Sequence, residues 1–197
     1  MKQLLLSLAI ICGLTFSTAA QQKTSPFAGL GAISFYGVDF SKGRIYGSVD
    51  EPQKLRTAYA DINMLFITEP EKYNVAKYTG KPMNEVRPDA VTNMNDTIPD
   101  DSLKTFEKTH VISDADIEQT LKGLNIVRGS GLGLVMIMQY LDKPAEKGTF
   151  VFVLFNVEER TIVRRWTMTG TPGGFGLRNY WAHAILDVMS KVKTYKD

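Results

Sequence analysis

The stretch Thr171-Pro172-Gly173-Gly174-Phe175-Gly176 is the part of this chain whose residue types come closest to a ligand site. Glycines let backbone amides turn toward a bound group, and a helix start that follows them attracts anions. Arg178 falls in the first turn of the helix expected to begin here. A cation in that position opposes the helix dipole, so it calls for a partner carboxylate or a bound anion. Tyr180 is the aromatic residue nearest the mouth of the loop. Gly173, Gly174, Gly176, Arg178 and Tyr180 therefore make up a candidate anion site. The plain alternative is a tight strand-to-helix connection, with Arg178 paired to an acid of the same protein. No Lys-Ser/Thr pair follows the glycines, which excludes a Walker loop, and a preceding strand that belongs to a meander argues against a dinucleotide fingerprint.

Other groupings offer less. Gly129-Ser130-Gly131-Leu132-Gly133 enters a strand, so it lacks the amide donors of a helix start and reads as a turn or bulge. His110 and His183 are the only histidines, too few for a zinc site without carboxylates, and no metal site is expected. His183 and Asp187 are spaced to meet on a helix. No Gly-x-Ser-x-Gly elbow anchors a hydrolase triad. Asp100-Asp101 and Glu158-Glu159 fall in expected turns, where solvation explains paired acids. No catalytic residue and no cofactor is therefore assigned. Two further patterns concern modification. Asn95-Asp96-Thr97 fits an N-glycosylation sequon, but the first twenty residues have the look of a bacterial leader. Asp96-Thr97-Ile98 and Asp101-Ser102-Leu103 resemble the Asp-Ser/Thr-aliphatic acceptor for O-glycosylation in secreted Bacteroidota proteins, which makes Thr97 and Ser102 candidate acceptors.

The rest of the chain sets the context for these residues. Lys2, the apolar run from Leu4 to Ile11 and the small residues Ser17 to Ala20 have the layout of a secretory leader over residues 1–20. The apolar run is short for a membrane span. Cys12 follows two isoleucines, a poor context for lipoprotein processing, so cleavage after Ala20 and a periplasmic or secreted location are expected. The remaining 177 residues contain no cysteine, so thiolate and disulfide chemistry are excluded there. The charge is near zero, which argues against a nucleic-acid partner, and no transmembrane span is expected. Residues 96–118 hold seven acids and two lysines, a local charge of −5, read as a solvated acidic loop.

Periodicity then gives the elements. Residues 21–31 read as a flexible lead-in to one globular domain over 32–197. Ile33 to Phe40 alternates like a strand. Pro52 opens a helix whose stripe is Leu55, Tyr59, Ile62 and Phe66. Ala90–Met94 and Thr105–Val111 read as strands. Ser113 and Asp116 form a capping box for a second helix, with Ile117, Leu121 and Leu124 buried. Three runs, Leu132–Leu141, Thr149–Asn156 and Thr161–Thr169, read as an antiparallel meander. A last helix buries Leu177, Trp181, Ala184, Val188 and Val192. The expected fold is α/β (α+β), a single mostly antiparallel sheet with about three helices packed against it, in the order β-α-β-β-α-β-β-β-α.

Phe35-Tyr36-Gly37-Val38-Asp39-Phe40-Ser41 and Gly174-Phe175-Gly176-Leu177-Arg178-Asn179-Tyr180-Trp181-Ala182 resemble a group of secreted Bacteroidota proteins of undefined activity. The element order is similar to the periplasmic α/β module at the N-terminus of TolB and in CsgG-like outer-membrane lipoproteins. That resemblance implies a role in envelope assembly through contact with another envelope protein, and no catalysis. A small-anion or nucleotide-binding domain centred on the 171–176 loop, with enzymatic activity as an extension of it, is the alternative.

Overall fold

The computed structural model describes residues 25–194. The expected leader and Cys12 lie outside the described residues. The elements run β1 (Ile33–Asp39), β2 (Arg44–Tyr46), α1 (Pro52–Thr68), α2 (Val75–Thr79), β3 (Met83–Val86), α3 (Thr92–Asp96), β4 (Lys104–Thr105), α4 (Asp114–Gly123), β5 (Leu132–Asp142), β6 (Lys147–Asn156), β7 (Thr161–Gly170) and α5 (Leu177–Lys191). Short 3₁₀ turns cover Pro88–Val91 and Asp100–Ser102.

The seven strands of the described residues form one sheet centred on β5. Its apolar run is buried on both faces, as a central strand requires. One edge of β5 takes β1 against Leu132–Ile137 and then β2 against Tyr140–Asp142, both parallel. The other edge takes β6 antiparallel, and β6 takes β7 antiparallel. Beyond β1 and β2 lie β3 and β4, again parallel. Only β6 runs against the rest, so β2, β4, β5 and β7 all finish at the same end of the sheet.

This overturns the expected mostly antiparallel sheet with about three helices. The sheet is mostly parallel, and among the described residues five α-helices accompany it. The meander is present as expected, but it is only one flank. The antiparallel expectation rests on neighbours in sequence pairing with each other. Instead β1 and β5, almost a hundred residues apart, lie side by side, with crossovers through helices between them. Short elements differ too. Ala90–Met94 is a 3₁₀ turn passing into α3, the strand near Thr105 has only two residues, and β3 has no apolar alternation to announce it. The true order is β-β-α-α-β-α-β-α-β-β-β-α.

Each face of the sheet has its own core. Phe35, Val38, Met136, Phe150, Phe152 and Trp166 pack under α1 and α5. Tyr36, Val135, Ile137, Val153 and Phe155 pack under α4. The α1 stripe is buried as the periodicity predicts. Ser113 and Asp116 close the expected capping box, with Ser113 N–H donating to Asp116 Oδ2 at 2.8 Å. Phe27, within the expected lead-in, is buried edge-on to Trp166, with ring centroids 5.3 Å apart.

Candidate functional site

Strand β1 is not regular. Between Phe35 and Val38 it slips in register against β5, and Gly37 sits at the slip with φ +89°. A β-carbon there would lie 2.9 Å from Pro88 Cα and 2.8 Å from Asn63 Oδ1, so this position admits only glycine. Past the slip, β3 has ended and β4 has not begun, leaving Val38 and Phe40 without a strand partner on that edge. Two buried amides stand in for one. Val38 N–H donates to Asn63 Oδ1 at 2.8 Å, and Phe40 N–H donates to Asn95 Oδ1 at 2.7 Å. Asn63 Nδ2 and Asn95 Nδ2 both donate to Val38 O, at 2.9 and 3.0 Å. The acid between them, Asp39, is fully buried and accepts from Thr120 Oγ1 at 2.8 Å and from Ser41 N–H at 2.9 Å. Burial pushes its carboxyl above the usual carboxylate range, against those two hydrogen bonds.

The outer sides of Asn63 and Asn95 floor a cleft of about 220 Å³ between α1 and the Pro88–Asp96 segment. Its walls are mostly apolar: Ala60, Met64 and Ile67 from α1 face Pro88 and Thr92. Met64 and Ile67 stay 51% and 50% exposed. Half-exposed large apolar side chains beside a concave surface mark binding more than folding. Asp89 and Asp96 complete the lining. Arg87 holds Asp89 through two hydrogen bonds, at 2.9 and 2.8 Å, and thereby lowers its carboxyl below the ordinary value. Asp96 makes no ion pair with any described residue. Sequence reasoning missed this cleft. One signal was present, because Asn63 falls on the buried stripe of α1, one residue from Ile62 and four from Tyr59. A polar residue on an apolar stripe demands a buried partner.

The 171–176 loop is held at its root. Thr171 N–H donates to Asp187 Oδ2 at 2.8 Å, and His183 Nδ1 donates to Thr171 O at 3.0 Å. The histidine and the acid thus meet through the loop backbone. Asp187 also accepts from Lys191 at 2.6 Å. Gly174 and Gly176 take positive φ, and α5 starts at Gly176 without a side-chain cap. Gly173 N–H is spent on Tyr180 O at 3.0 Å, so it is not free for a ligand.

The loop divides two cavities and so splits the predicted group. Tyr180 and Gly176 line one of about 180 Å³, with Asp50, Lys54 and Lys143. Its cations are already answered, since Asp50 accepts from Lys54 at 2.6 Å and pairs with Lys143 at 3.4 Å. The Lys54 hydrogen bond is the chief reason that Asp50 is held below its usual range. Arg178 and Gly173 line the other cavity, of about 280 Å³, with Phe175, Asn179, His183 and the pair Lys72–Glu69, whose charged atoms lie 3.7 Å apart. Arg178 Nε donates to Asn179 Oδ1 at 3.0 Å, and among the described residues no carboxylate pairs with its guanidinium. Gly174 is common to both cavities.

Thr97 and Ser102 end up on short helical turns. Thr97 Oγ1 donates to Asn93 O at 2.7 Å and Ser102 Oγ to Asp101 Oδ1 at 3.2 Å, while the aliphatic residues after them, Ile98 and Leu103, are buried. Asn95 of the sequon is buried with both amide atoms engaged. Among the described residues no group of three or more His, Cys, Asp or Glu side chains could hold a metal ion, and no helix is long and apolar enough to cross a membrane. A scan against known protein families finds no family model that matches this chain, and a search of curated proteins finds no match.

Proposed function

We propose that the protein is exported and works in the cell envelope as a non-enzymatic module that binds a partner protein in the α1 cleft. The observation that carries this is the pair Met64 and Ile67, half-exposed on the wall of an apolar cavity whose floor is fixed by Asn63 and Asn95. A rigid floor with flexible methionine at the rim suits a protruding apolar side chain of a partner. Asp96, without an ion-pair partner among the described residues, favours a partner segment that also carries lysine or arginine. The leader-like residues 1–20 and the likeness to secreted Bacteroidota proteins and to TolB- and CsgG-type modules support the same direction.

A photo-activatable side chain at position 64 is expected to give a discrete adduct in intact envelopes. The same group at position 122, on the exposed side of α4, gives none. Ile67→Asp removes the adduct. Peptides of one apolar sequence are expected to bind several-fold tighter with flanking lysines than with flanking glutamates. No adduct at 64, or no preference between the peptides, refutes the assignment.

A second reading, the small-anion or nucleotide site with enzymatic activity as an extension of it, is favoured by the guanidinium of Arg178, which borders an open cavity where, among the described residues, the one lining carboxylate, Glu69, pairs with Lys72 and none pairs with Arg178. It predicts that inorganic phosphate raises the melting temperature and that Arg178→Ala abolishes the rise. An unchanged melting temperature across phosphate concentrations refutes it.

A further inference from the structure

Phe175 stands almost wholly in water, 96% exposed, on the loop before α5. Its neighbours on both sides are glycines in positive φ, Gly174 at +88° and Gly176 at +83°. A β-carbon at Gly176 would meet nothing within 4 Å, and one at Gly174 would meet only Asn179, no nearer than 3.5 Å. The ring is therefore carried on a neck without side chains. Asn179 fixes that neck, donating from Nδ2 to Phe175 O at 3.1 Å and accepting from Arg178 Nε at 3.0 Å. No carboxylate of the described residues pairs with Arg178, and residues 166–186 contain no acid. A preset aromatic ring with an arginine beside it has the form of an interface anchor, since those residue types carry most of the energy where proteins meet.

The α1 cleft has the matching shape and charge. An apolar cavity of about 150 Å³ holds a benzene molecule, so a cleft of about 220 Å³ takes a phenylalanine ring and part of its neck. The exposed valines Val49, Val111 and Val127 would leave most of that space empty. Phe106 is as exposed as Phe175, but Glu107 follows it directly and would bring a like charge toward Asp96. Of the two acids lining the cleft, Asp89 pairs with Arg87, while Asp96 makes no ion pair among the described residues. One chain thus carries an unanswered guanidinium beside a protruding ring, and an unanswered carboxylate beside an open apolar cavity. The two do not meet within one molecule. The cavity beside Phe175 and the α1 cleft share no lining residue, and Phe175, Met64 and Ile67 all stay exposed.

We infer that the occupant of the α1 cleft is the Phe175 loop of a second copy of this chain. The ring seats between Met64 and Ile67 on one wall and Pro88 and Thr92 on the other, and the Arg178 guanidinium pairs with Asp96. The inference rests on the reading of that cleft as a protein-binding site and names its partner. Each copy carries both halves, so the contact either repeats head to tail or is made twice across a two-fold axis. One ring and one ion pair bury little surface, so the association is weak and depends on concentration.

Sedimentation velocity of the full chain is expected to show association that grows with concentration up to about 1 mM. Phe175→Ser and Ile67→Asp each weaken it about tenfold or more, in keeping with the loss of one buried aromatic side chain. Both positions are exposed, so each variant melts close to the parent. Mixed together, the two variants associate again, because one keeps the cleft and the other keeps the ring. Arg178→Glu and Asp96→Arg each weaken association about fivefold, and a chain carrying both recovers it. The photo-adduct at position 64 has the mass of two chains and joins that position to the 171–176 loop. A chain that stays monomeric, variants that fail to restore each other on mixing, or charge variants without effect overturn the proposal. An adduct at position 64 with a different protein, and none with a second copy, also overturns it but leaves the cleft as a binding site. No adduct of either kind removes both.

Discussion

Replacing Asn63 and Asn95 by alanine, singly and together, is the sharpest test of how the cleft floor is built. In Asn95→Ala the buried Phe40 N–H loses its acceptor, while Val38 O keeps Asn63 Nδ2 at 2.9 Å. In Asn63→Ala the buried Val38 N–H is stranded, while Val38 O keeps Asn95 Nδ2 at 3.0 Å. A stranded buried donor costs about 1–3 kcal/mol, and the lost bonds and packing bring each single variant to about 2–4 kcal/mol. The cleft lies just outside, so water reaching the hole sets the lower end of that range. Only the double variant strips Val38 O of both donors. Its destabilisation should therefore exceed the sum of the singles by about 1–2 kcal/mol. Urea unfolding of the four proteins, followed by circular dichroism, gives the three differences if the slope stays constant. Singles below about 1 kcal/mol, or additivity within about 0.5 kcal/mol, would show that the amides do not substitute for a strand.

Three further outcomes are expected from the same structure. Asp39 is raised above its unfolded value by burial, so its contribution to stability is full below the unfolded value of 3.8 and is lost as pH rises through the folded one. Asp39→Asn should then melt higher than the parent at neutral pH and show a weaker pH dependence above pH 4, and a variant less stable at every pH contradicts this. Asp50 is lowered, so the sign is opposite: its contribution is present above 3.8 and disappears as pH falls through the folded value. Asp50→Asn should cost about 1–2 kcal/mol at pH 7, and the cost should shrink as pH falls below 3.8, as read from thermal melts across the acid range. A β-carbon at Gly170 would run into the backbone carbonyl of Ala184, where β7 packs under α5. Gly170→Ala should destabilise by about 3 kcal/mol or more in urea titrations, and a loss below about 1 kcal/mol would mean that α5 is not tightly seated there.

Local physics was legible in the chain by itself. Pro52 at the helix start, the Leu55–Phe66 stripe, the Ser113/Asp116 box and the three long strands are each set by neighbours within a few residues, and each is found in place. The unusual position of Arg178 was also legible, since a cation in a first helical turn needs no partner in view to be noticed. Strand partners and the cleft were not. Parallel pairing of β1 with β5 joins residues about a hundred positions apart and leaves no pattern in either strand that names the other. The two-residue β4 and the four-residue β3 are strands only because an edge was waiting for them. Asn63 and Asn95 look like ordinary helix and turn residues until a slip in β1 leaves two backbone groups for them to satisfy. Tertiary structure likewise put Arg178 and Tyr180 on opposite sides of one loop. Short-range propensity fixes which segments are strands and helices, whereas the burial of both faces of β5 decides what lies beside what.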